Sequence, residues 1–137
     1  MINKTFVFDA NIWFGYIISD GFNYITTLIR KNNLVVYGCD KLIEELQDNL
    51  SKPKVAKKIK TQLQIDDILR VVKELTVDFE ITPSFKDCKD KDDNFLFDLA
   101  IQSKSDFLVS KDKIVLATKI NPPPQIISYT EFREMFL

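Results

Sequence analysis

Short apolar runs alternate along this chain with stretches whose apolar residues recur every three or four positions. The first run, Thr5–Phe8, is rich in β-prone residues and bounded by polar ones, and it reads as a buried strand. Beyond Asp9, the stretch Asn11–Ile18 predicts a helix. Gly21 interrupts the pattern before Phe22, Ile25, Leu28 and Ile29 resume helical spacing up to Lys31. Asn32 and Asn33 signal a turn into a second strand, Leu34–Tyr37. Asp40 then stands where it can cap a helix carrying Leu42, Ile43, Leu46 and Leu50, and Pro53 opens the next helix or marks the break before it.

Ile65–Leu75 predicts a further helix, and Val77–Ile81 alternates enough to predict a third strand. Pro83–Lys91 is a polar loop. Asp92 and Asp93 begin a helix that continues through Phe95, Leu96, Leu99 and Ala100. Phe107–Val109 is a fourth strand, followed by a short helix reaching Ala117. Asn121–Pro124 is an extended linker, because three prolines in succession exclude a helix. Gln125–Ser128 predicts a fifth strand, and Thr130–Phe136 a closing helix capped by Thr130 with Arg133 and Glu134 outward. Strands and helices in this order predict a three-layer α/β/α sandwich around a mostly parallel sheet, folded as a single domain over residues 1–137. Right-handed crossovers line up the carboxyl ends of the strands, and a ligand site in such a sheet lies outside that edge.

Composition narrows the chemistry. The 137 residues, 45% hydrophobic and 28% charged, suit one globular domain. A net charge of −1 means that nucleic-acid binding has to come from local patches. One candidate is the run Lys52–Lys60, which includes Lys54, Lys57 and Lys58 and holds no acidic residue; a solvated helix face is its other reading. The chain has no histidine, which excludes Ser-His-Asp and Cys-His sites and any His-ligated zinc centre. Cys39 and Cys88 are far apart, have no metal-binding spacing and read as a reduced pair. No apolar run is long enough to span a membrane, and Met1–Lys4 leads into the first strand without a signal-peptide pattern, so a cytoplasmic protein is expected.

Carboxylates remain, and the predicted topology sorts them. Asp9 ends the first strand, Asp112 follows the fourth, and Asp93 starts the helix leading into the fourth; Glu45 lies early in the helix after the second. Each has an ordinary explanation. Asp9, Asn11 and Asp112 can cap helices, Asp93 can favour a helix dipole, and Glu45 can be solvated, with Glu44 beside it an equal rival. Their joint arrival at one edge is less ordinary, because like charges gathered there oppose one another's ionisation. A divalent cation removes that cost, and oxygen ligands without histidine or thiolate point to Mg²⁺ or Mn²⁺.

At these residues the chain resembles the PIN-domain ribonucleases, and most of all the branch of toxin components of toxin–antitoxin systems. The resemblance rests on Phe-Asp-Ala-Asn at 8–11, Glu-Glu-Leu at 44–46, Asp-Lys-Asp-Asp-Asn-Phe-Leu at 90–96 with Leu99 and Ala100, Leu-Val-Ser-Lys-Asp at 108–112 and Tyr-Thr-Glu-Phe at 129–132. It implies metal-dependent endonucleolytic cleavage of single-stranded RNA by Asp9, Glu45, Asp93 and Asp112. In that reading Asp9, Asp93 and Asp112 hold the metal and Glu45 positions it or a water. Asn11 supports as a hydrogen-bonding neighbour, and Ser110 supplies the hydroxyl where the family more often has threonine. Lys111, Lys113, Lys54, Lys57 and Lys58 are candidates for contacts to the RNA backbone. Trp13, Phe14 and Tyr16 are candidates for stacking on a base, with core or dimer contacts the other reading of Trp13 and Phe14. The resemblance also implies a homodimer and a cognate antitoxin on a separate chain. A non-catalytic PIN-like module that binds RNA or protein is the alternative. A phospho-acceptor receiver domain fits poorly, because no aspartate ends the Val77–Ile81 run.

Overall fold

The computed structural model describes residues 4–59 and 64–136. Met1–Asn3, the start of the segment read for a signal sequence, and Lys60, the end of the lysine run, lie outside them. Five strands, β1 (Thr5–Phe8), β2 (Val35–Gly38), β3 (Thr76–Asp78), β4 (Phe107–Ser110) and β5 (Gln125–Ser128), form one sheet in the order β3-β2-β1-β4-β5, parallel throughout. The helices are α1 (Ala10–Ile18), α2 (Phe22–Lys31), α3 (Asp40–Leu50), α4 (Pro53–Ala56), α5 (Ile65–Leu75), α6 (Asn94–Gln102), α7 (Lys113–Ala117) and α8 (Tyr129–Glu134), with a 3₁₀ turn at Lys91–Asp93 before α6. The expected three-layer α/β/α architecture is present.

Alternation along the central strands builds two cores. Phe6 and Phe8 of β1 and Val109 of β4 face a layer containing Trp13, Ile25, Ile68 and Phe132. Val7 and Leu108 face the other layer, against Leu96, Leu99 and Val115. Strands buried on both faces need apolar side chains at every position, which is why β1 and β4 lack the polar alternation of a half-exposed sheet. Helix α6 is buried from Phe95 to Ala100 without a break, so it lies inside the molecule rather than on it. Among the described residues no helix is long and apolar enough to cross a membrane. Cys39 and Cys88 are both free and buried.

Several boundaries differ from expectation. The third strand is Thr76–Asp78 and follows α5 directly. Pairing ends where its partner β2 ends at Gly38; Phe79 N donates a last bond to Gly38 O, and Phe79 and Ile81 then pack on the second core. Cys39, not Asp40, precedes the first turn of α3. Helix α8 is capped by Ser128, not Thr130: Ser128 Oγ accepts from Glu131 N at 3.1 Å and Glu131 Oε1 accepts from Ser128 N at 3.1 Å, a reciprocal capping box.

Candidate active site

Strands β1 and β4 are neighbours at the middle of the sheet, and the chain winds away from them in opposite directions, toward β2 and β3 on one side and β5 on the other. This switch point opens a crevice at the carboxyl edge. The register Phe8↔Val109 brings the next residues, Asp9 and Ser110, face to face. Ser110 Oγ donates to Asp9 Oδ2 at 2.8 Å, and Asp9 N donates to Val109 O at 3.0 Å. The same hydroxyl accepts from Asp112 N at 3.0 Å, so one buried serine ties the ends of β1 and β4 to the start of α7.

The capping explanations separate at this level. Asp112 caps α7, its Oδ1 accepting from Ile114 N at 2.8 Å. Asp93, before α6, makes no capping bond, and Asp9, before α1, makes none of good geometry although the amides of Asn11 and Ala10 stand close to its carboxylate. Asp9 is only 5% exposed, a burial that capping does not require.

Electrostatics gather these carboxylates. Burial raises the pKa of Asp9 and the Asp112 charge adds to the rise, while the Ser110 hydroxyl and the amides of Asn11 and Ala10 oppose it. Glu45 is pushed up to about 7 by burial first and then by Asp9, with Asp92 and Asp90 adding and Lys41 opposing. Asp93 is likewise pushed up to about 7 by burial, then by the charges of Asp9, Asp90, Asp112 and Glu45. The Asp9 charge thus disfavours ionisation of both Glu45 and Asp93, and the Asp112 charge disfavours that of Asp9 and Asp93. Glu44 is exposed and faces away, lining a cavity with Asp78 and Glu80 beyond β2 and β3.

Proximity stops short of closure. Among the described residues no three acidic or thiol side chains stand close enough together to hold a metal ion. Hydrogen bonds fix Asp9 and Asp112 in place, and like charges favour rotamers that keep carboxylates apart. The donor set still suits a hard divalent cation. All its groups are oxygens, neighbouring charges raise Asp9, Glu45 and Asp93, and Asn11 Oδ1, two residues beyond Asp9, is buried without a hydrogen-bond partner.

The remaining candidates scatter. Lys111 lies with its Nζ 4.7 Å from the Tyr129 ring centroid. Lys113, exposed, opens α7. Lys54, Lys57 and Lys58 are exposed on and after α4, which follows the far end of α3; that helix is roughly 16 Å long, so the lysines stand well away from the acidic edge. Trp13 and Tyr16 are buried, which corrects the stacking role considered for them, and the half-buried Phe14 packs against the first core.

Sequence reasoning missed Asp98. It is 4% exposed inside α6 and accepts from Ser84 N, Phe85 N (2.9 Å) and Gln102 Nε2, which fastens residues 84–85 to the buried helix. An aspartate inside an unbroken apolar helix was the available signal, since such a carboxylate has to be partnered. Lys41, whose charge opposes the rise at Glu45, was missed as well.

Ser110→Ala is expected to destabilise the fold by about 1–2 kcal/mol, because it removes a bond to a buried carboxylate and leaves Asp112 N without its acceptor. Urea midpoints should show a larger loss at pH 8 than at pH 4, where Asp9 is more protonated. An equal loss at both would mean that the hydroxyl does not bind the charged form.

The family model described as PIN domain matches residues 5–114, the greater part of the chain and all four carboxylates. No curated protein and no solved structure matches.

Proposed function

Since the chain belongs to the PIN domain family, whose members are generally nucleases, we propose that it is a Mg²⁺- or Mn²⁺-dependent endoribonuclease cleaving single-stranded RNA. The observation that carries this reading is the gathering of carboxylates at the β1/β4 switch point, where Ser110 ties Asp9 to the backbone of Asp112 and the Asp9 charge reaches Glu45 and Asp93. Asp9, Asp93 and Asp112 would hold the ion, and Glu45 would orient it or a water. When bound, the ion supplies Lewis acidity to the attacking water and to the leaving oxygen of the phosphodiester. The chain's own part is positioning. Ser110 fixes the Asp9 carboxylate, and the α7 cap fixes Asp112 with Oδ1 engaged. Asn11 offers an unpaired acceptor to a water at the same edge.

The motifs at 8–11, 90–96 and 129–132 further support a cytoplasmic toxin of a toxin–antitoxin pair, a single-domain homodimer covered by an antitoxin on another chain. The spacing of the carboxylates, no three at ligating distance among the described residues, favours a second reading as a non-catalytic RNA- or protein-binding module.

Incubation with an end-labelled single-stranded RNA separates the two. The nuclease reading expects fragments in Mn²⁺, none in EDTA, and their return when Mn²⁺ is restored. Intact RNA in both Mg²⁺ and Mn²⁺, with no heat of Mn²⁺ binding in calorimetry, would leave the binding module.

A further inference from the structure

The carboxyl edge of the sheet is electrically lopsided. Ser110 pairs in register with Ser128, so the residues that follow them, Lys111 and Tyr129, leave β4 and β5 side by side at the edge that carries Asp9. Tyr129 begins α8, and Arg133 stands one turn further along the same helix face. Both cations lie against the one ring: Lys111 Nζ is 4.7 Å and Arg133 Cζ 5.7 Å from the Tyr129 centroid.

Local sequence makes the approach possible. Lys111 passes Gly15 of α1, where a Cβ would stand 2.9 Å from its Nζ, so a larger residue at 15 displaces the ammonium. Both side chains are exposed. Neither forms an ion pair with a described acidic residue, although Lys111 stands between Ser110 and Asp112; the ion pair found among the described residues is Arg70–Asp67. Two cations thus stand at one aromatic ring beside an acidic centre, neither in an ion pair with a described residue. The opposite flank has the reverse character. The cavity of about 570 Å³ beyond β2 and β3 is lined by Asp40, Glu44, Asp78 and Glu80, with Lys41 its single cation.

We propose that Lys111 and Arg133, positioned by Tyr129, form a phosphate subsite that receives the backbone of single-stranded RNA, which leaves the acidic centre on the β5–α8 side and avoids the β2–β3 side. This rests on the nuclease reading and adds a path to it. A phosphodiester is the anion that fits, because a single-stranded substrate reaching the acidic centre carries one on each neighbouring nucleotide. The acidic flank repels the strand, whereas the ring-held pair attracts it and loses little side-chain freedom on binding.

The test uses Arg133→Gln, Lys111→Gln and Tyr129→Leu in the full chain, with Lys119→Gln as a remote control. Fluorescence anisotropy with a labelled single-stranded RNA in EDTA gives affinity against KCl concentration, and cleavage in Mn²⁺ gives KM and kcat. Arg133→Gln is expected to weaken binding roughly five- to tenfold, to lower the log–log salt slope by about 0.7 and to raise KM with kcat kept. Tyr129→Leu should reproduce the weaker binding with both charges retained, whereas Lys119→Gln should change neither slope nor KM. A wild type that cleaves while Arg133→Gln and Lys111→Gln keep its slope and KM overturns the subsite and leaves the nuclease standing. A wild type that neither binds nor cleaves RNA overturns both.

Discussion

Asp9→Asn is expected to lower Mn²⁺-dependent RNA cleavage by roughly 10³-fold or more, a loss of about 4 kcal/mol or more of transition-state stabilisation. Asparagine keeps the size of the side chain, and its Oδ1 can accept the Ser110 hydroxyl as the carboxylate does at 2.8 Å. What disappears is one negative charge at the middle of the coupled group. The fold should gain rather than lose. Burial and Asp112 disfavour the Asp9 anion, and a neutral amide avoids both costs. The expected result is therefore an inactive protein whose urea midpoint at pH 8 equals or exceeds that of the wild type. Retained activity removes Asp9 from the chemistry. An inactive but unfolded variant assigns it to the architecture instead.

The second large effect is on stability against pH. Glu45 and Asp93 sit at about 7 in the folded chain against ordinary values of 4.5 and 3.8. Raised carboxyl pKa values mean that the folded state binds more protons than the unfolded state between about pH 4 and pH 7. The stabilising contribution of the protonated groups is full below pH 4, falls as pH rises through 7 and is gone above it. Asp93→Asn does not titrate, so in EDTA it should match the wild type near pH 4 and exceed it by about 1–2 kcal/mol at pH 8, the full shift being discounted for partial exposure. Mn²⁺ should reverse the order. At one hundred times its Kd it stabilises a binding-competent fold by about 2.7 kcal/mol, and the variant lacking a ligand should gain much less. A pH-independent gap, or equal stabilisation of both proteins by Mn²⁺, would show that Asp93 is neither strained nor a ligand.

Much of this arrangement is legible in the residues. Thr5–Phe8, Ile65–Leu75 and Gln125–Ser128 have the bounds the pattern predicts. The third strand is shorter than its alternation suggests, since pairing depends on where β2 stops, a tertiary fact invisible in Val77–Ile81 itself. The cap of α8 is readable as well: Ser128 with Glu131 three residues on has the capping-box spacing, which Thr130 lacks. Asp9, Asp93 and Asp112 could be placed at one edge from topology alone. The resemblance favours Glu45 over Glu44, and the rotation of α3, fixed by Leu42, Leu46 and Leu50 in the cores, leaves Glu45 half-buried and Glu44 exposed.

Pairing of β1 with β4 joins residues 101 positions apart, Phe6 with Phe107. A chain emerging from the ribosome thus presents Asp9 and Glu45 long before Ser110 and Asp112 exist to complete their surroundings. Contacts so distant in sequence form late and slowly. Through most of its synthesis the nascent polypeptide therefore lacks the Asp9–Ser110–Asp112 linkage, and prematurely terminated fragments that stop short of residue 107 never gain it.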